Sequence, residues 1–249
     1  MNNILILAEP VEGHFNPFMP IISKFAERGH NARCLTGRGF KERVESLGAA
    51  ILPLPAQWDA GSQESGLRFF PTLRSLTGLA QIKFYIKHFM YAQVPDILNA
   101  LESVLKDFKA NAIIEVTFRV AGTWLRELGS PPSVRLSVLP LSLLGKDIAP
   151  FELGLPSGTS YFSKLRNNLL QVLLLFKDGQ PHVIELRKTV RLPPYEKYLF
   201  ISAVKSPGLV LHTSSPSFEY FRSEFPANFR FIGSVVLPPK EGYQQPDWR

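Results

Sequence analysis

The sequence predicts an α/β protein built on a Rossmann-like parallel β-sheet of about seven strands with helices on both faces. Short apolar runs rich in β-branched residues recur along the chain, and segments with helical periodicity separate them. The first run ends in a tight loop, Glu12-Gly13-His14-Phe15-Asn16-Pro17, that opens into a helix. Alternation of this kind produces βαβ crossovers, and open sheets made from them hold ligands at the carboxyl ends of their strands. A chain of 249 residues can bury a large core, and 45% apolar with 20% charged residues is a globular composition.

Taken in order, the expected strands are Ile4–Ala8, Ala32–Thr36, Ala50–Leu54, Ala112–Val116, Ser133–Val138, Leu209–His212 and Phe229–Ile232. The first helix is expected over Pro17–Arg28. Asn16 suits its N-cap and Pro17 its first position, where the missing N–H costs nothing. Phe18, Ile21, Ile22 and Phe25 fall on one face, and Gly29 suits the C′ position. Further helices are expected over Gly39–Leu47, Leu76–Phe108 in one or two pieces, Val120–Leu128, Tyr161–Phe176 and Val183–Val190, with a long loop over Gln57–Pro71. The domain is expected to span 1–236, and the Pro- and Gln-rich 237–249 to begin a linker.

The single cysteine, Cys34, allows no internal disulfide and lies in an apolar strand, which fits a reducing cytoplasmic setting. Met1-Asn2-Asn3 leads straight into a strand, unlike a signal peptide, and no apolar run is long enough to cross a membrane. Net charge is +7. Between Lys164 and Lys205 eight basic residues face Asp178, Glu185 and Glu196, without a nucleic-acid motif, so no nucleic-acid partner is expected. Ser160–Lys177 is cationic and amphipathic; it reads as a solvated helix face, with contact to an anionic membrane surface as the alternative. No GxGxxG follows the first strand, no Walker A motif occurs, and the five histidines show no metal-ligand spacing.

His14 stands where the first strand ends and a helix begins. The positive end of that helix disfavours imidazolium, which leaves a ring able to accept a proton. From the residues alone, a packing or capping histidine is the competing reading. The motifs in their order then carry a resemblance. Pro10-Val11-Glu12-Gly13-His14-Phe15-Asn16-Pro17 resembles the GHxNP loop of family 1 glycosyltransferases of the GT-B fold, particularly bacterial macrolide-type enzymes. Arg28-Gly29-His30 with Cys34-Leu35-Thr36 resembles their RGHxVxxxT continuation. Leu209–Glu219 resembles a late strand and loop, and Phe231-Ile232-Gly233-Ser234 with Pro238-Pro239 resembles the FxGP…PP that closes their first domain.

The resemblance implies the amino-terminal, acceptor-binding half of an inverting, metal-independent glycosyltransferase that needs no cofactor. The donor would be a UDP- or dTDP-sugar, held mainly by a carboxyl-terminal half that these residues do not contain. The chain alone is then expected to bind an acceptor hydroxyl compound and transfer nothing, its partner being that other half as a domain or a separate subunit. His14 is implied as general base and His30 as structural. Family members place an acid at the end of the fourth strand beside the histidine. Here Val116 takes that position and Glu115 stands one residue early, an offset that turns it to the opposite face unless a bulge or register shift intervenes. Glu115 is the candidate catalytic partner of His14, with a partly exposed strand-end residue as the other reading. Gly13, Phe15, Asn16, Phe118 and Pro140 are the expected substrate contacts, with Phe70, Phe84 and Phe89 around an apolar pocket. A non-catalytic binding or scaffold subunit of the same fold is the alternative, and a sugar-nucleotide epimerase the third reading.

Overall fold

The computed structural model describes residues 1–59, 70–141, 147–149, 153–171, 177–195, 206–220, 222, 225–238, 242–244 and 247. Seven strands build one sheet: β1 (Asn3–Leu7), β2 (Asn31–Thr36), β3 (Ala50–Pro53), β4 (Ala112–Val116), β5 (Ser133–Ser137), β6 (Leu209–His212) and β7 (Phe229–Phe231). Their order is β3-β2-β1-β4-β5-β6-β7 and every neighbouring pair is parallel. All seven lie where the sequence puts them, within a residue or two at the ends. The order reverses between β1 and β4, where Leu7 pairs with Glu115, so a crevice opens beyond the carboxyl ends of these two strands.

β1 is buried on both faces, and its alternate residues feed two cores. Ile4, Ile6 and Ala8 pack with Val116, Phe15, Phe18, Ile22 and Val44, beneath helices α1 (Glu12–Phe15), α2 (Phe18–Glu27) and α3 (Lys41–Ser46). Leu5, Leu7 and Ile113 face the other way, against α5 (Val94–Asp107) and α6 (Ala121–Glu127), with Leu101 and Trp124 at the centre. Before α5 come α4 (Gly78–Tyr85) and one widened turn of π-helix over Ile86–Met90, which buries Phe89 and Met90. The expected helix Leu76–Phe108 is thus two helices joined by that turn. Helix α7 (Tyr161–Gln171) begins where predicted, and 172–176 lie outside the described residues. Helix α8 (Lys177–Thr189) starts six residues earlier than expected; Pro181 sits near its start, where a missing N–H removes a single bond. Most of the expected loop Gln57–Pro71 lies outside the described residues. Among the described residues no helix is long and apolar enough to cross a membrane.

The loop after β1 departs most from expectation. Glu12–Phe15 already forms a helical turn, and Asn16 continues it with φ −52° and ψ −40°. A residue in that conformation cannot cap, so Pro17 precedes α2 instead. Arg43 fastens the turn, donating to both Glu12 carboxylate oxygens at 2.6 and 2.8 Å and to Asn16 Oδ1 at 2.7 Å. At the other end of α2, Gly29 has φ +70° and closes the helix as predicted.

Glu115, at the end of β4, is completely buried. It accepts hydrogen bonds from the backbone N–H of Gly122 (2.8 Å) and Thr123 (3.2 Å), from the Thr123 hydroxyl, and from Arg135 Nη2 (2.7 Å). The carboxylate therefore ties α6 and β5 to β4. Gly122 permits this approach, because a Cβ there would stand 2.7 Å from Ile113 Cγ2 and 2.9 Å from Glu115 Oε2. Gly122→Val is expected to destabilise the fold by about 1–3 kcal/mol through overpacking. Arg135→Met leaves a buried carboxylate without its cation and is expected to cost about 3–5 kcal/mol. Urea unfolding of each variant beside the parent checks both, and a loss under about half a kcal/mol in either would contradict this account.

Candidate active site

His14 follows β1 on the first helical turn, at the mouth of the crevice between β1 and β4. Its Nδ1 lies 2.7 Å from Glu9 Oε2, and its side chain keeps 13% of its surface exposed. Nε2 has no hydrogen-bond partner among the described residues. An ionised carboxylate can only accept, so this contact places the neutral ring's proton on Nδ1 and a lone pair on Nε2. The adjoining Gly13 is exposed, and nothing stands within 4 Å of where a Cβ would project from it.

Glu9 is 1% exposed. Its other oxygen, Oε1, accepts the Tyr85 hydroxyl at 2.9 Å. Burial pushes the Glu9 carboxyl up, but the His14 hydrogen bond, the charge of Arg119 and the Tyr85 hydroxyl outweigh it and hold the group below its ordinary value. Burial and the negative charge of Glu9 push the Tyr85 phenol well above its own, so it remains a donor. Arg119, just past β4, is buried and donates to Gln93 Oε1; burial pulls its guanidinium down while Glu9 and Tyr85 hold it up.

An aromatic surface runs outward from His14. Ring centroids are 5.8 Å apart for His14 and Phe118, 5.8 Å for Phe118 and Tyr85, and 5.0 Å for Tyr85 and Phe89. Phe89 touches Phe70 and Trp58, each at 6.4 Å, and Phe70 meets Phe84 at 5.4 Å. Of the residues singled out in the sequence, Phe118 therefore stands beside His14 itself, and Phe89, Phe70 and Phe84 continue from it through Tyr85.

The remaining expected residues fall elsewhere. Phe15 is fully buried against Phe40 and Phe18, because the expected loop is helical and turns that side chain beneath the sheet. Asn16 is exposed but bonded to Arg43, on the scaffold side of the turn. Pro140 lines a different cavity of about 500 Å³ at the ends of β5 and β6, with Leu139, His212, Ser214, Phe218 and Tyr220. There His212 is locked between Ser137 and Glu219, with Nε2 2.7 Å from Glu219 Oε1. Glu115, the candidate partner of His14, comes within 4 Å of neither of its nitrogens. It is fully buried on the face of Ile113 and pairs with Arg135 instead, because no bulge or register shift turns it toward the histidine. Sequence reasoning missed Glu9, Tyr85 and Arg119. The available signal was a lone acid closing a buried strand, five residues before the histidine. Among the described residues no three His, Cys, Asp or Glu side chains cluster as metal ligands would.

No protein-family model matches the chain. It is 31% identical over 250 residues to the 4'-demethylrebeccamycin synthase of Lentzea aerocolonigenes, a match covering 98% of this chain and 59% of that protein. It is 27% identical to UDP-glycosyltransferase 2 of Phaeomoniella chlamydospora, over 99% of this chain and 56% of the relative. In fold it is similar to the calicheamicin glycosyltransferase CalG4, with a TM-score of 0.66 at 20% identity, over 99% of this chain and 55% of that one. The spinosyn rhamnosyltransferase SpnG in complex with spinosyn aglycone gives a TM-score of 0.55 at 12% identity, over 100% of this chain and 53% of that one. The chain thus spans a little over half the length of the relatives it matches. It is similar in sequence to glycosyltransferases over nearly its whole length and shares the fold of the solved ones.

Proposed function

We propose that the chain is the acceptor-binding, base-supplying half of an inverting, metal-independent glycosyltransferase that uses a UDP- or dTDP-sugar. One observation carries the reading: His14 stands just past β1 with Nδ1 engaged by Glu9, Nε2 without a hydrogen-bond partner among the described residues, and the Phe118 ring beside it. An alcohol is too weakly acidic to attack an anomeric carbon unaided at neutral pH. In the proposed step the acceptor hydroxyl loses its proton to His14 Nε2 as its oxygen forms a bond to the anomeric carbon. The bond from that carbon to the diphosphate oxygen breaks with its electron pair on the opposite side, which inverts the configuration.

Phe118, Tyr85, Phe70 and Phe84, part-buried and backed by the buried Phe89, offer a largely apolar wall, which suits an apolar or aromatic acceptor held by its rings with one hydroxyl toward His14. Holding the nucleotide sugar is assigned to the half of the relatives that this chain does not match. A cytoplasmic setting fits the one cysteine, Cys34, which is free and buried, its thiol pushed up to about 12 by burial.

The test combines the chain with the donor-binding half of a homologous glycosyltransferase, a UDP- or dTDP-sugar and a panel of aromatic aglycones. Glycoside is expected from the mixture and from neither part alone. His14→Ala is expected to lower the rate by about 10²–10⁴-fold, the usual worth of general-base catalysis. Transfer undiminished in His14→Ala would overturn the assignment. Acceptor binding without transfer by any pairing would favour a non-catalytic binding subunit.

A further inference from the structure

The geometry points to Glu9, rather than an acid at the end of β4, as the positioning residue that sets the tautomer and orientation of His14, with Tyr85 holding Glu9 in place. This inference rests on the reading of His14 as the base. The acid at the end of β4 is unavailable, because Glu115 spends its oxygens on Gly122, Thr123 and Arg135. Val116, next along, offers only an apolar side chain and is itself buried.

Glu9 meets each requirement of an orienting carboxylate. It is buried, so its hydrogen bond to His14 is neither screened by salt nor competed away by water. One oxygen lies 2.7 Å from Nδ1 and the other accepts Tyr85 at 2.9 Å, so the carboxylate cannot rotate without losing a partner. Its backbone belongs to the segment leaving β1, where Ala8 N–H still bonds Leu35 across the sheet, so the anchor is the most buried strand of the fold. Arg119 supplies the compensating positive charge from the far side of the crevice. The carboxylate thus reaches His14 from the same strand end that carries the histidine.

Two consequences separate an orienting role from a merely structural one. The ring must carry its proton on Nδ1, against the Nε2–H form that free histidine prefers. As the acceptor's proton reaches Nε2, the positive charge forming on the ring must be matched by Glu9 without reorganisation. The Nδ1–H of the imidazolium then donates to Glu9 Oε2, and no second proton is transferred.

The experiment reads the ring nitrogens of the 249-residue chain by ¹⁵N NMR at neutral pH, with His14 identified by the signal lost in His14→Gln. The expected spectrum has a protonated Nδ1 and an unprotonated Nε2. Glu9→Gln is expected to move the population toward the Nε2–H form, whereas Glu115→Gln leaves it unchanged. A wild-type ring protonated on Nε2 overturns the inference whether or not any variant folds. So does a tautomer indifferent to Glu9→Gln in a folded protein. With the donor-binding half added, Glu9→Gln is expected to lower kcat by about 10²-fold or more at unchanged KM. If His14→Ala abolishes transfer while Glu9→Gln leaves kcat intact, the role of Glu9 fails and the base assignment stands. If His14→Ala is itself without effect, the base assignment fails, and the NMR result still decides what Glu9 does to the ring.

Discussion

Two carboxylates, Glu9 and Glu115, are buried at the ends of the neighbouring strands β1 and β4, and the need to satisfy both shapes this end of the molecule. A buried charge without partners costs several kcal/mol, so each must gather donors or cations around it. Glu115 gathers the first turn of α6, Thr123 and Arg135, and thereby fixes a helix and two strands. Glu9 gathers His14 and Tyr85, and leaves Nε2 of the histidine without a hydrogen-bond partner among the described residues. One carboxylate is consumed by architecture and the other by a side chain that keeps part of its surface exposed.

That difference follows from position along the sheet, since by parity Glu9 continues the row of Leu5 and Leu7 on the face of Ile113. Glu115 shares the face of Ile113 and meets the helix packed there, whereas Glu9 lies past the end of β1, where chain direction is no longer set by the sheet. The short helical turn Glu12–Phe15 then swings His14 back over the strand end, and Arg43 pins that turn through Glu12 and Asn16. Phe15 plugs the core directly below, so the base sits on a filled scaffold and its supports are packed side chains. Preorganisation of this sort is what makes a weak base effective, since little reorganisation remains for the reacting step.

Much of this was legible in the sequence because it depends on local rules. Apolar runs of strand length separated by helical periodicity set the seven strands, and β1, buried on both faces, needed no partner information to be recognised. Gly29 ended α2 as its conformational freedom demands. The helical turn over Glu12–Phe15 was not legible, because Asn16-Pro17 is an equally good helix start and only the tertiary hold of Arg43 decides between them. The same blindness applied to Glu9 and Tyr85. They lie 76 residues apart, and nothing local to either announces their hydrogen bond.

The aromatic surface shows how a distant segment completes what β1 begins. Tyr85 contributes twice, its hydroxyl to Glu9 and its ring to the wall between Phe118 and Phe89. It lies at the last position of α4, directly before the widened turn Ile86–Met90 that carries Phe89 into the core. A π turn spends one extra residue, and so changes which side chains point inward after it. The polar support of the base and the apolar wall beside it thus share one side chain, Tyr85, while the turn after it sets Phe89 behind the wall. Displacing Tyr85 would disturb the hold on Glu9 and the shape of the wall together.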